Sequence, residues 1–172
     1  VDEERVVELK VGCHPEAAIS GAMLLQDESA AFLLFNAMSD ELNADGCYED
    51  LGTAVMEFKG CCRTLFGGPN DEALPEHPLW HKGLADRGYD ICEVLNSSWA
   101  KEVMGRARRS AERIWGSRFE KAYQNVDWST RHFIVTFHDS TFECLADDFV
   151  LTVHKAPFAE LLGRISQRLM EA

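Results

Sequence analysis

The stretch Arg131–Lys155, RHFIVTFHDSTFECLADDFVLTVHK, decides how the chain is read. Phe133, Val135 and Phe137 alternate with His132, Ile134, Thr136 and His138, the two-residue period of a β-strand. Asp139-Ser140 and Asp147-Asp148 are turn formers, so the stretch predicts three consecutive strands joined by two tight hairpins. Centring the first turn on Asp139-Ser140 sets Thr136 opposite Glu143, Val135 opposite Cys144 and Phe137 opposite Phe142. Carrying the pattern through the second turn sets Cys144 opposite Leu151 and Glu143 opposite Thr152. One face then carries Phe133, Val135, Phe137, Phe142, Cys144, Ala146, Phe149, Leu151 and Val153, all apolar. At roughly 25 cal/mol per Å² of apolar area, burying that face is a large share of the folding drive. A one-residue slip would exchange the two faces, so the clean apolar set supports this parity.

The opposite face carries His132, Thr136, His138, Thr141, Glu143, Thr152 and His154, with Ile134, Leu145 and Val150 at its inner end. Its sharper reading is a site. His138 and His154 would flank Thr141 in one cross-strand row with Glu143 diagonal to both. Two imidazoles and a carboxylate suit a divalent metal, or an acid/base pair with His138 reacting and Glu143 orienting it. Thr136 and Thr152 would add ligand-binding hydroxyls. Strands two apart are roughly 10 Å apart, however, a long reach for two ligands of one ion. No metal-spacing motif accompanies the residues. The preferred reading is therefore a solvated outer sheet face, and no metal or cofactor is expected.

The chain has 172 residues, 46% of them hydrophobic and 27% charged, which suits one globular domain. No apolar run approaches the ~20 residues of a membrane span, and Val1–Lys10 lacks the features of a signal peptide. A cytoplasmic protein is expected. The six cysteines, at 13, 47, 61, 62, 92 and 144, include no C-x-x-C pair, and free thiols are expected. A net charge of −12 speaks against nucleic-acid binding. The charge is unevenly spread: Ala100–Tyr123 holds seven Lys or Arg against three Glu, a local +4 that leaves −16 elsewhere. That segment can dock on its own acidic domain, on a neighbouring subunit or on an anionic partner.

Taken in order, Glu4–Val11 predicts an opening strand. Ile19–Leu25 and Ala30–Met38 are apolar runs around Gln26-Asp27-Glu28-Ser29, a predicted hairpin, although periodicity leaves a short buried helix open for the second run. Ser39–Asp50 is read as a loop. Thr53–Phe66 alternates as one long strand, with Gly60 marking a bulge or a close backbone approach. Gly67–Gly88 is the longest loop and carries Asn70, Asp71, Glu72, Glu76, His77 and His81, a polar set able to bind a ligand, against the plainer reading of a solvated rim. Tyr89–Leu95 predicts a short strand. Asn96-Ser97-Ser98 caps a helix from about Ser98 to Trp115, with Trp99, Val103, Ala107, Ala111 and Ile114 on one stripe and Arg106, Arg109 and Arg113 beside it. Ala156-Pro157 opens a last helix, whose Phe158, Leu161, Leu162, Ile165 and Leu169 are expected to close the core on the apolar face of the three strands.

In FGGPNDEALPEHPL, EVLNSSW and RHFIVTFHDSTFECLAD the chain resembles a group of small uncharacterised bacterial proteins. Their shared features are a phenylalanine-glycine-x-proline-asparagine-aspartate-glutamate loop, an asparagine-serine-x-tryptophan segment and a TFHDSTFEC hairpin. The resemblance covers roughly Phe66–Asp147, and the arginine-rich Arg106–Arg118 departs from it. It implies no activity. It does imply that Asn70, Asp71, Glu72, His77, Asn96, Trp99, His138, Asp139, Glu143 and Cys144 are the positions to examine.

The expected fold is α+β, a mostly antiparallel sheet with two main helices packed on one face, in a single domain. The expected function is a non-catalytic domain that binds a small polar ligand or a protein and assembles as a homo-oligomer. The alternative is a metal-dependent, hydrolase-like enzyme working from His138, Glu143 and His154.

Overall fold

The computed structural model describes residues 3–18, 21–28 and 30–171. Ile19 and Ser29, which the predicted first hairpin included, lie outside them. The α+β class is borne out, built on two antiparallel sheets rather than one. The strands are β1 (Arg5–Glu8), β2 (Cys13–Pro15), β3 (Met23–Gln26), β4 (Ala31–Leu42), β5 (Tyr48–Lys59), β6 (Arg63–Gly67), β7 (Ile91–Leu95), β8 (Arg131–Thr136), β9 (Thr141–Ala146) and β10 (Asp148–His154). The helices are α1 (Ser98–Trp115), α2 (Phe119–Tyr123) and α3 (Phe158–Glu171). The first sheet runs β1-β7-β8-β9-β6; the second runs β10-β5-β4-β2, with β3 also paired to β4. No helix among the described residues is long and apolar enough to cross a membrane.

The sheets pack face to face. Phe133, Val135, Phe142 and Cys144 from the first meet Leu33, Phe35, Met56 and Phe58 from the second in one buried core. The apolar set expected from Arg131–Lys155 is on that inner side, though Val153 remains 38% exposed at its margin. Phe32, Leu34 and Val55 on β4 and β5 point the other way, where Leu161 and Ile165 of α3 bury them. Both faces of β4 are thus covered, which is why Ala31–Phe35 is a continuous apolar run without alternation. Helix α3 therefore closes the outside of the second sheet rather than the inside of the expected three-stranded unit. Helix α1 belongs to the other sheet, beside β8.

Four other expectations change. The β8–β9 hairpin turns on His138-Asp139, with Phe137 N–H donating to the Ser140 carbonyl at 2.8 Å, so Ile134 faces Glu143 and Thr136 faces Thr141. The slip is two residues, which preserves parity and leaves every side chain on its expected face. Strand β10 does not pair with β9. One residue, Asp147, links them, and the chain passes into the second sheet, where Leu151 faces Met56 of β5. Thr53–Phe66 is likewise two strands, because Gly60 carries the chain from β5 to β6 in the opposite sheet. The two crossings share a corner: Asp147 N–H donates to the Lys59 carbonyl at 2.8 Å. Gly60 has φ 60°, a left-handed backbone that favours glycine, and the exposed Asp147 carboxylate folds into the space beside it. Finally, Ser39–Asp50 is not a loop throughout, since β4 and β5 extend into it and close on residues 43–47.

Candidate functional site

Over β7, β8 and β9 the outer face of the first sheet is not solvated; only its β6 edge, with Arg63 and Leu65, stays exposed. The segment 67–88 folds back over it in three short 3-10 turns and lays Leu74, Leu79 and Leu84 on Val6, Cys92, Val94 and Ile134. Two buried threonines tie its ends down: Thr141 donates to the Pro69 carbonyl at 3.0 Å and Thr136 to the Gly88 carbonyl at 2.6 Å. These are the cross-strand partners nearest the β8–β9 turn. The polar row of the hairpin is thereby moved from water into the interior, and each of its members needs a partner.

Four side chains meet that need in one chain of hydrogen bonds: Ser97, His132, Glu143 and His77. Ser97 caps α1, its Oγ accepting the Ala100 N–H at 3.1 Å, and lies 2.9 Å from His132 Nδ1. His132 Nε2 is 2.9 Å from Glu143 Oε2, and His77 Nε2 is 3.2 Å from Glu143 Oε1. The partners assign the tautomers. His77 Nδ1 accepts the Leu79 N–H at 3.2 Å, so its Nε2 carries the proton and donates to Glu143. With one proton on each imidazole, Ser97 donates to His132 Nδ1, His132 Nε2 donates to Glu143, and every member is satisfied. The Trp99 ring meets the His132 ring edge-on at 4.9 Å and holds its plane. Burial pushes the Glu143 carboxyl up, but the His132 and His77 hydrogen bonds, together with the electrostatic attraction of the two rings, outweigh it and hold the group down at about 2.

This carboxylate forms one wall of a cleft of about 210 Å³. Leu65, Pro78, Leu79 and Trp99 supply apolar walls. At the rim, Glu4 accepts from Lys82 and from the N–H and hydroxyl of Ser98. Burial raises the Glu4 carboxyl and these three partners more than offset it, leaving it below the ordinary range. The Glu143 side chain is 14% exposed, and each of its oxygens has one lone pair beyond the histidine it accepts from.

A second cluster lies at the hairpin tip. His138 Nδ1 is 2.7 Å from Asp71 Oδ2, the Tyr89 hydroxyl donates to the same oxygen at 2.8 Å, and Asp71 N–H donates to the His138 carbonyl at 3.0 Å. The Tyr89 and His138 bonds lower the Asp71 carboxyl, and the Asp71 bond raises the His138 imidazole. This cluster fastens the covering segment to the turn and is open to water.

The remaining candidates divide. His77 and Trp99 join Glu143 at the cleft. His138 does not: its ring is bound to Asp71, away from Glu143. His154 and Thr152 lie on the outer face of the other sheet, 2.9 Å from each other and beside α3. The proposed metal set of His138, His154 and Glu143 is therefore not assembled, because the chain leaves the first sheet at Asp147. Among the described residues no three His, Cys, Asp or Glu side chains are placed to share an ion. Thr136 is a buried tie rather than a ligand group. Asn70 accepts the Ala73 N–H in the covering segment, Glu72 is exposed beside Asp71, and Asn96, at φ 58°, donates to the Glu3 carbonyl. Cys144 is buried in the inter-sheet core, and burial pushes its thiol up; all six cysteines are free. Two members of the network, Ser97 and His132, were not singled out. His132 shares a face with Glu143 one position diagonal, and Ser97 was recognisable as a cap, but 35 residues separate them. No protein-family model, curated protein or solved structure matches the chain.

Proposed function

We propose that the protein is a non-catalytic binding domain whose ligand is a small molecule with a flat apolar body and one positively charged or hydrogen-bond-donating group. The observation that carries this reading is Glu143, an ionised carboxylate fixed through both oxygens and presenting its remaining lone pairs to an apolar cleft. A donor on the ligand would complete the carboxylate, and the body would lie between Trp99 and Leu65. The order Ser97, His132, Glu143 is that of a hydrolytic relay. Its geometry favours binding over attack, because Ser97 is 5% exposed and its oxygen is engaged by the cap and by His132. A carboxylate held at about 2 is also a weak base near neutrality.

Benzylamine and benzoate, matched in size and opposite in charge, test the reading by NMR titration. Benzylamine is expected to bind with an affinity on the order of 1 mM and to shift the resonances of Leu65, His77, Trp99 and Glu143. Glu143→Gln should abolish this, and Thr152→Ala should leave it unchanged. Equal binding of benzoate, or benzylamine shifts confined to another surface, would refute the proposal.

A further inference from the structure

We propose that the end of α1 together with α2 is a docking arm for the acidic β4–β5 hairpin of a second copy of this chain. The arm is the one strongly basic part of an acidic protein. Arg106, Arg109 and Arg113 surround a shallow depression with Ser110. Arg106 is paired with Glu102, but Arg109 and Arg113 have no carboxylate partner among the described residues. Beside them Ile114 is 73% and Trp115 45% exposed, where the predicted apolar stripe of α1 runs past the sheet. This end is ordered nonetheless. Trp115 packs edge-on against Tyr123, whose ring also meets Phe119 and Trp128, and Gly116 turns the chain between the two helices.

The hairpin is its complement in charge and in apolar content. Asp40, Glu41, Asp45, Glu49 and Asp50 lie on it; among the described residues none of their carboxylates forms a salt bridge, although Lys10 lies in the field of Asp40. Residues 41–50 are all exposed, and the cross-strand pair Leu42 and Tyr48 is 58% and 47% exposed. At its tip the Asn43 side chain accepts the N–H groups of both Asp45 and Cys47. Each copy thus presents an acidic finger bearing two apolar side chains and a basic arm bearing two more. Contact between them pairs opposite charges and buries the apolar pairs together. The patches lie on different elements, so an assembly in which each copy's arm receives the other's hairpin uses both and closes.

Sedimentation of the full chain at 0.1 M and 1 M NaCl tests this with two charge-reversed variants, Arg109→Glu/Arg113→Glu and Glu41→Lys/Glu49→Lys. All four positions are on surface elements, and circular dichroism checks that each variant folds. The parent should self-associate at 0.1 M and weaken at 1 M, where screening shortens to ~3 Å. Each variant alone should associate roughly tenfold or more weakly, from several surface pairs turned repulsive together. Mixing the two variants should restore association between them. A parent that is monomeric at both salt concentrations overturns the proposal, as does association that neither variant changes. So does a monomer retained on a polyanion through Arg109 and Arg113, which would give the arm to an anionic partner instead. If one variant fails to fold, the other still decides between arm-to-hairpin contact and none.

Discussion

Replacing Glu143 by glutamine removes one charge with almost no change of shape, and the structure specifies its effect on stability and on the acid limb of unfolding. The Glu143 carboxyl falls from the ordinary value of 4.5 to about 2 on folding. At about 1.36 kcal/mol per tenfold change in proton affinity, this corresponds to about 3 kcal/mol of stability near neutrality. The folded value lies below the unfolded one, so the contribution is fully present above 4.5 and is lost as pH falls towards 2. About 2 kcal/mol of it should be gone by pH 3. Glutamine cannot recover it, since its amide nitrogen must face a His77 or His132 N–H that already donates, leaving a buried donor unpaired at about 1–3 kcal/mol.

Urea unfolding of the parent and Glu143→Gln at pH 7 and pH 3 measures this directly. The variant should be about 3 kcal/mol less stable at pH 7 and only about 1 kcal/mol less stable at pH 3. A loss of that size leaves a typical domain folded. The depressed carboxyls of Glu4, Glu57 and Asp71 are present in both proteins and cancel in the difference. A stability difference between parent and variant that is the same at both pH values would refute the account, because it would show that Glu143 is not ionised through its histidine bonds.

Other outcomes follow from single contacts. Ser97→Ala removes the cap of α1 and the hydroxyl on His132 Nδ1 together, and should cost about 1–2 kcal/mol in the same unfolding assay; a loss under about 0.5 kcal/mol would contradict the network. His138 should titrate above the ordinary 6.5 in an NMR pH series and return towards it in Asp71→Asn. Because its folded value is raised, its tie to the covering segment is complete below 6.5 and loosens as pH rises through the folded value, not on acidification. Glycine substitutions should split in sign. At Gly52, φ 100°, a Cβ would lie 2.3 Å from the His154 carbonyl oxygen, so Gly52→Ala should cost about 3 kcal/mol or more or prevent folding. At Gly163, inside α3 with nothing within 4 Å, alanine should instead stabilise by about 0.5–1 kcal/mol.

What was legible in the sequence was local. Helix α1 runs from Ser98 to Trp115, as predicted, because a serine cap and a glycine end are chemical signals within a few residues of the boundaries. The face assignment of β8 and β9 held because a two-residue error in register preserves parity. What failed was partnership. The alternation of Phe149, Leu151 and Val153 states that one side of β10 is apolar, and it is the same whether that side packs beside β9 or beside β5. The stripe of α3 likewise states that a sheet receives it, not which one. Cover was the hardest feature to foresee. Leu74, Leu79 and Leu84 recur every five residues, matching neither helix nor strand, so the segment that buries the polar row had no periodic signature.

That cover makes Glu143 more than a tolerated polar residue. Its neighbours on the same face, Ile134 and Leu145, are fully buried and apolar, so the face accepts hydrocarbon without difficulty. A buried ion network is commonly no more stable than a well-packed apolar replacement of equal volume, and removing any one member leaves the others uncompensated. Stability alone therefore gives no reason to place a carboxylate between two imidazoles there. What leucine at this position could not do is hold a fixed acceptor against the apolar cleft. His132 and His77 each take up one oxygen of the carboxylate, and on the binding proposed above the lone pairs left over would be met by the ligand.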